Sequence, residues 1–209
     1  MPYFLNTFRT PKLGKEAEVV EAVGQSLDAI GGRGLVNVSI SAPNAPTSDV
    51  RVVGTLLLDD EEEVDDLLDL LFQEDMEAIR SRSHITDMCS QENWSLSKVI
   101  SNSETIPEGF TPKYINRHFI SVKIGKLPET LELLKEWGES LDHRYVYNIS
   151  VPLGGPVSSV RVTHLVESFS SLQELNDKIF SDSRQEQIQN LLSASVVRAL
   201  GRITHITGQ

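Results

Sequence analysis

The chain carries the same sequence pattern twice. Residues 3–15 (YFLNTFRTPKLGK) align with residues 114–126 (YINRHFISVKIGK) at an offset of 111 positions, and both segments end in an apolar residue followed by Gly-Lys. The offset is again 111 where residues 37–40 (NVSI) meet 148–151 (NISV), and 110 where residues 49–52 (DVRV) meet 159–162 (SVRV). A repeat of this length is a whole folding unit rather than one turn of a solenoid. The duplication therefore predicts two units of the same fold.

Composition indicates an ordinary globular protein and excludes several partners. Of 209 residues, 39% are hydrophobic and 23% are charged, so each half can bury a core. The formal net charge of −11 argues against a nucleic-acid partner, because phosphate binding depends on Lys and Arg. No apolar run approaches the ~20 residues of a membrane span, and the N-terminus lacks the pattern of a signal peptide. We therefore expect no membrane association and a cytoplasmic location. Cys89 is the only cysteine, which excludes an internal disulfide.

Each copy follows the element order strand, helix, strand, strand, helix, strand. In the first copy, apolar residues from Val19 to Ile30 recur at helical spacing, and Gly31 marks the end of that helix. In the second copy, capping patterns at Ser171 and Ser183 predict successive helices over 171–180 and 184–199, followed by a strand over 202–207. These patterns predict a first repeat over residues 1–100, a linker over 101–113 rich in Ser, Pro and Gly, and a second repeat over 114–209.

The order βαββαβ is that of a ferredoxin-like unit, so the predicted class is α+β with two antiparallel sheets. With its element order and duplication, the chain resembles the dimeric α/β-barrel superfamily, in particular its antibiotic-biosynthesis-monooxygenase-like and stress-responsive members. The resemblance covers nearly all of residues 3–207. It implies that the two ferredoxin-like repeats pack into a pseudo-twofold α/β barrel within one chain. The protein would then be a monomer with an internal pseudo-dimer, or a homodimer.

Strand alternation assigns polar residues of both copies to one face of the sheets. Val36, Val38 and Ile40 alternate with polar residues, and the apolar face should lie under the helices. The opposite face then carries a polar set that recurs in the two copies, namely Asn37, Arg51, Asn148 and Arg161. An Arg guanidinium suits a carboxylate or phosphate, so this set is a candidate site for a small acidic ligand. The alternative is that the arginines form internal salt bridges.

Two first-strand residues complete the ligand-binding candidates. His118 lies on a predicted central strand, and a histidine there could act as a general base. Asn6 matches by position the first-strand Asn that the resemblance associates with catalysis in haem-degrading relatives. The Trp expected on the third strand of those relatives is absent, since residues 50–58 read VRVVGTLLL. No spaced metal motif occurs, so we expect no metal and no cofactor, with haem as the alternative cofactor.

Two functions remain open at this stage. The first is an enzyme acting on a small organic compound, a monooxygenase or an isomerase, which requires a pocket with convergent polar groups. The second is a non-catalytic stress-associated or structural binding protein. The two copies differ at Thr7 against His118, at Asn6 against Arg117 and at Gly54 against His164. If an active site exists, we expect it to be asymmetric.

Overall fold

Apolar periodicity and glycine stops define the elements of the first repeat. The computed structural model describes residues 1–41, 50–72, 84–103, 106–142 and 144–208. Strand β1 (Tyr3–Pro11) leads through a turn to helix α1 (Glu16–Ile30), and strands β2 (Arg33–Ser41) and β3 (Val52–Leu58) follow. Helix α2 (Glu61–Phe72) and strand β4 (Cys89–Asn102) complete the repeat. Helix α1 ends where Gly31 takes a left-handed conformation and its amide donates to the Leu27 and Asp28 carbonyls.

The second repeat follows the same order of strands, with three described helices. Its elements are β5 (Tyr114–Ser121), α3 (Leu127–Glu139), β6 (Val146–Pro152), β7 (Ser159–Val166), α4 (Phe169–Ser181), α5 (Gln185–Leu191) and β8 (Val197–Thr207). Pro128 lies in the first turn of α3, where a proline is tolerated because that amide has no helical acceptor.

Antiparallel pairing is shared by the two repeats. In the first, β1 pairs with β3 and β4, and β2 pairs with β3. In the second, β5 pairs with β7 and β8, and β6 pairs with β7. The complete strand order is that of a closed barrel, β1-β3-β2-β8-β5-β7-β6-β4. The predicted α+β class, with ferredoxin-like repeats in an α/β barrel, is confirmed.

Contacts divide the chain into two compact units, one formed by residues 1–98 with 203–209 and the other by residues 99–202. The first unit buries Val19, Val23, Val36, Val52 and Leu56 between α1 and its strands. The second unit buries a set from α3, α5 and its strands that includes Leu134, Trp137, Ile149, Val162 and Ile188. No helix within the described ranges is long and apolar enough to cross a membrane.

The end of the chain differs from the sequence prediction. Helix α5 ends at Leu191 instead of continuing to 199, and residues 197–201 belong to strand β8. The capping patterns were misread as well, because α4 is capped by Ser168, whose Oγ accepts from the Ser171 amide at 3.0 Å. Pairing with β5 favours the extended form of residues 197–201, and their helical propensity is overridden. The sequence also predicts a helix from Asp60 to about Met88 that is broken near residues 73–75, and this break falls outside the described residues.

Candidate functional site

A cavity of about 600 Å³ lies within the second unit, between its sheet and its helices. Its inner wall is buried and comes from β5, β7, α3 and α5; it consists of His118, Ile120, Leu134, Trp137, Val162 and Ile188. Its mouth is more exposed and is formed by Phe180 at the end of α4 and by residues 193–196 and Arg198. The cavity is therefore apolar inside and polar at its opening, as ligand pockets commonly are.

His118 is the polar residue of the inner wall. Its side chain alternates along β5 with Arg117 and Phe119 and points to the helix side, where Ile120 also lines the cavity. Burial, and next the positive charge of Arg198 on the neighbouring strand, lower the pKa of His118 to about 4. The imidazole is therefore neutral at neutral pH, with one nitrogen able to donate and one able to accept a hydrogen bond.

His118, His164 and Trp137 pack together at the inner wall. The His118 and His164 rings have centroids 5.7 Å apart in an edge-to-face arrangement, and the Trp137 and His164 rings have centroids 5.3 Å apart in a second one. His164 is fully buried, and burial lowers its pKa well below the ordinary value. These three aromatic rings fix the orientation of the inner wall through close packing.

The two charged groups at the mouth, Asp182 and Arg198, differ in whether they form an ion pair. Asp182 forms a bidentate pair with Arg184, whose Nε and Nη2 lie 2.8 and 2.6 Å from its two carboxylate oxygens. This pair keeps the pKa of Asp182 below its usual value, so the carboxylate is ionised and neutralised. Arg198 instead faces the Phe180 ring at 5.4 Å, and it forms no ion pair with any residue that the structure describes. Arg198 thus supplies the uncompensated charge of the cavity.

The described residues at the corresponding positions of the first unit are closely packed. Thr7 and Gly54 stand where the second unit has His118 and His164, and a Cβ added to Gly54 would lie 2.9 Å from both Thr7 Oγ1 and Val23 Cγ1. Arg9, the counterpart of Ile120, donates to Thr7 Oγ1 at 2.6 Å and pairs with Glu92 at 3.0 Å. The repeats therefore differ at this position as the sequence comparison led us to expect.

Of the six residues suggested by the sequence, His118 alone lines this cavity. Arg161 and Asn148 lie on the opposite face of the second unit's sheet, since Val162 and Ile149 beside them face the helices. The Arg161 guanidinium packs over the Phe119 ring at 5.2 Å. Burial lowers the pKa of Arg161 to about 10, and burial together with the charge of Arg161 lowers the pKa of Arg117 to about 9.

The three candidates of the first unit lie in its own sheet. Asn6 is buried and its Oδ1 accepts a hydrogen bond from Thr55 Oγ1 at 3.0 Å, while Asn37 donates from Nδ2 to the Val53 carbonyl at 3.2 Å. Arg51 is half-buried just before β3. The hydrogen bonds of Asn6 and Asn37 are of the kind that stabilise a sheet. A ligand-binding role for the three residues stays a prediction.

Sequence reasoning missed Arg198 and Phe180, and it noted His164 only as a difference between the copies. Alternation with Val162 in residues 159–166 (SVRVTHLV) could have placed His164 on the helix side. Arg198 was hidden by the incorrect helix over 184–199, because its position beside His118 depends on the pairing of β8 with β5.

Comparison with known proteins shows that the chain is similar to several of them in structure. No protein-family model matches the chain, and no curated protein matches its sequence at a significant level. A candidate monooxygenase from Fusobacterium nucleatum superposes with a TM-score of 0.74 at 13% identity, covering 100% of this chain and 94% of the other. The chain has the dimeric α/β-barrel fold. An anthrone oxidase-like protein superposes with a TM-score of 0.67 at 13% identity, with coverage of 100% and 94%.

A further structural neighbour binds haem. A haem-binding protein from Thermus thermophilus superposes with a TM-score of 0.52 at 13% identity, covering 97% of this chain and 90% of the other. The donors around the cavity allow a test of that group here. Among the common axial ligands of haem iron, His, Cys, Met and Tyr, only His118 occurs in the lining, and its neutral imidazole is in the form that binds metal. Among the described residues of the lining, His118 is thus the one that could hold haem iron.

Proposed function

We propose that the cavity of the second unit binds a small, largely apolar organic compound, and that the protein acts on it as a monooxygenase. The observation that carries the proposal is the neutral His118 imidazole among the buried apolar residues of the cavity's inner wall. The size of the cavity, about 600 Å³, suits a compound of two or three fused rings. The fold shared with candidate monooxygenases supports the same class of reaction.

The neutral imidazole can accept a proton from an acidic C–H or O–H group of the bound compound. The electron pair left on the compound can then reduce molecular oxygen, and a CH₂ group flanked by aromatic rings would become a carbonyl with release of one water. The negative charge that develops next to His118 raises its proton affinity during this step. Trp137 and Leu134 exclude water around the reacting atoms.

Anthrone is a suitable probe, because its CH₂ group has this chemistry and the product absorbs differently. We expect oxygen uptake with formation of anthraquinone, and a loss of at least about tenfold in rate in His118→Gln, since general-base contributions are typically that large or larger. The matched control is His84→Gln, because His84 is exposed and lies in the first unit. Binding of neither anthrone nor 1-naphthol, measured by thermal shift and calorimetry, would contradict the proposal and favour a non-catalytic protein. Binding without oxygen uptake would favour an isomerase or a binding protein.

Haem binding is the second candidate, and His118 again carries it. His118 would hold the iron of bound haem, and haem would supply the oxygen chemistry. Titration with haemin distinguishes this candidate from the first. We expect a sharp Soret band at one equivalent that His118→Gln broadens and shifts, while His84→Gln leaves it unchanged. A haemin spectrum that is the same in all three proteins excludes His118 as the ligand. For either candidate function, we propose that the protein is located in the cytoplasm.

A further inference from the structure

Arg198 has an unusual electrostatic position for a chain with a net charge of −11. It is solvent-exposed at the mouth of the cavity, and its guanidinium forms no ion pair with any residue that the structure describes. Its contact with the Phe180 ring, 5.4 Å from the guanidinium carbon to the ring centroid, is of a kind that contributes only weakly at exposed sites. An arginine in this setting retains its capacity to bind an anion.

The remaining charges of the lining leave Arg198 unbalanced. Asp182 is the acidic residue of the lining, and both of its carboxylate oxygens are already bound by Arg184 at 2.6 to 2.8 Å. His118 is neutral, so it adds no charge of its own. The cavity as a whole is therefore positive at its mouth, although the protein is strongly acidic.

The apolar inner wall restricts which anions suit this position. Six buried residues of the inner wall, His118, Ile120, Leu134, Trp137, Val162 and Ile188, surround the space behind Arg198. A small inorganic anion would leave that apolar surface uncovered. A ligand with an apolar body and one anionic group would cover it and place its charge at the mouth.

We propose that Arg198 binds a carboxylate of the ligand, so that the natural ligand of this cavity is an aromatic or polycyclic acid that enters with its apolar end first. The proposal rests on the ligand-binding function proposed above and adds its substrate class. A bidentate guanidinium–carboxylate pair is stronger than the cation–π contact with Phe180, and Phe180 is itself 61% exposed and can turn away. The carboxylate source is either an organic acid or the propionate groups of haem.

Matched probes test the proposal by calorimetry at low ionic strength, where pairing at a partly exposed site is least screened. The probes are naphthalene-2-carboxylate and the neutral naphthalene-2-carboxamide. The wild-type protein should bind the carboxylate about tenfold more tightly than the amide, and Arg198→Gln should lose this preference while its affinity for the amide is unchanged. The control is Arg202→Gln, because Arg202 is exposed on the same strand and packs on Tyr114 outside the cavity.

The outcomes separate this proposal from the one on which it rests. Equal affinity for acid and amide together with equal affinity for haemin and its dimethyl ester, or a preference that survives in Arg198→Gln, overturns the role of Arg198 and leaves ligand binding intact. Binding of neither probe overturns both. Haemin and its dimethyl ester form the second arm. A preference for free haemin that Arg198→Gln abolishes, with no preference between the naphthalene probes, assigns the carboxylate to haem.

Discussion

The His164 ring meets the Trp137 indole edge to face, with centroids 5.3 Å apart and an interplanar angle of 83°. His164 is fully buried, and neither of its ring nitrogens has a hydrogen-bond partner among the residues that the structure describes. Burying polar atoms without partners costs free energy, and the first repeat avoids the cost by carrying Gly54 at the equivalent position. His164 therefore supports the wall of the cavity and lowers the free energy of unfolding.

Replacing His164 with leucine removes the two unpartnered nitrogens and keeps a side chain of similar volume. We expect the free energy of unfolding at pH 7.5 to stay within about 1 kcal/mol of the wild type or to increase. Urea denaturation followed by circular dichroism measures it. Leu134→Ala is the control for sensitivity, because it truncates a buried residue of the same core and should cost about 2–5 kcal/mol. A loss above about 2 kcal/mol in His164→Leu would show that the nitrogens are stabilised in the folded protein.

Gly138 allows the last turn of α3 to approach β6 closely. A Cβ at this position would lie 2.4 Å from Tyr147 Cε2, in a buried contact where the ring has little room to move. Gly138→Ala should therefore lower the free energy of unfolding by about 1–3 kcal/mol, although alanine is the better helix former. The matched control is Gly154→Ala, which has no atom within 4 Å of the new methyl group. Equal stability of the two variants would contradict the packing argument.

A buried ion pair stabilises the first unit. Arg9 and Glu92 have side chains that are 7% and 14% exposed, and Glu92 also accepts from Trp94 Nε1 at 2.8 Å and from Thr86 Oγ1 at 2.9 Å. Glu92→Gln leaves the arginine charge buried without its counter-charge, so we expect a loss of about 3–5 kcal/mol in thermal or urea unfolding. Glu18→Gln breaks the exposed pair with Lys15 and should cost less than about 1 kcal/mol. Similar losses of unfolding free energy in both variants would contradict the argument that the buried pair of Arg9 and Glu92 matters more than the exposed pair of Lys15 and Glu18.

The repeat and the strand alternation were sufficient to predict most of the fold. Alternation in residues 36–40 separated the helix side from the other side of the sheet, because a half-buried strand repeats every two residues. The resemblance between the copies then fixed the element order twice. Strand alternation does not show which strands pair, and for that reason the predicted helix over 184–199 included residues 197–199, which belong to β8. Only the register with β5 brings Arg198 beside His118.

The candidate site was only partly predictable, because it depends on which face of a sheet borders a cavity. Arg161 and Asn148 recur in both copies and looked more site-like than His118, yet they lie on the face opposite the described cavity. At the positions where the first unit has Arg9, Thr7 and Gly54, the second unit has Ile120, His118 and His164, and two of these, Ile120 and His118, line the cavity. The differences between the copies therefore indicate the cavity wall better than the residues that the copies share.

The depressed pKa of His118 predicts a loss of stability in weak acid. The unfolded chain takes up a proton on this residue below its ordinary pKa of about 6.5, whereas the folded protein does so only below about 4. The stabilising contribution of the neutral histidine is therefore complete above pH 6.5 and is lost as the pH falls towards 4. Between pH 7.5 and pH 5, the wild type should lose about 2 kcal/mol more than His118→Gln in urea denaturation. His84→Gln, altered at an exposed position, should follow the wild type. Parallel losses in wild type and His118→Gln would show that His118 keeps an ordinary pKa and is not enclosed as the structure indicates.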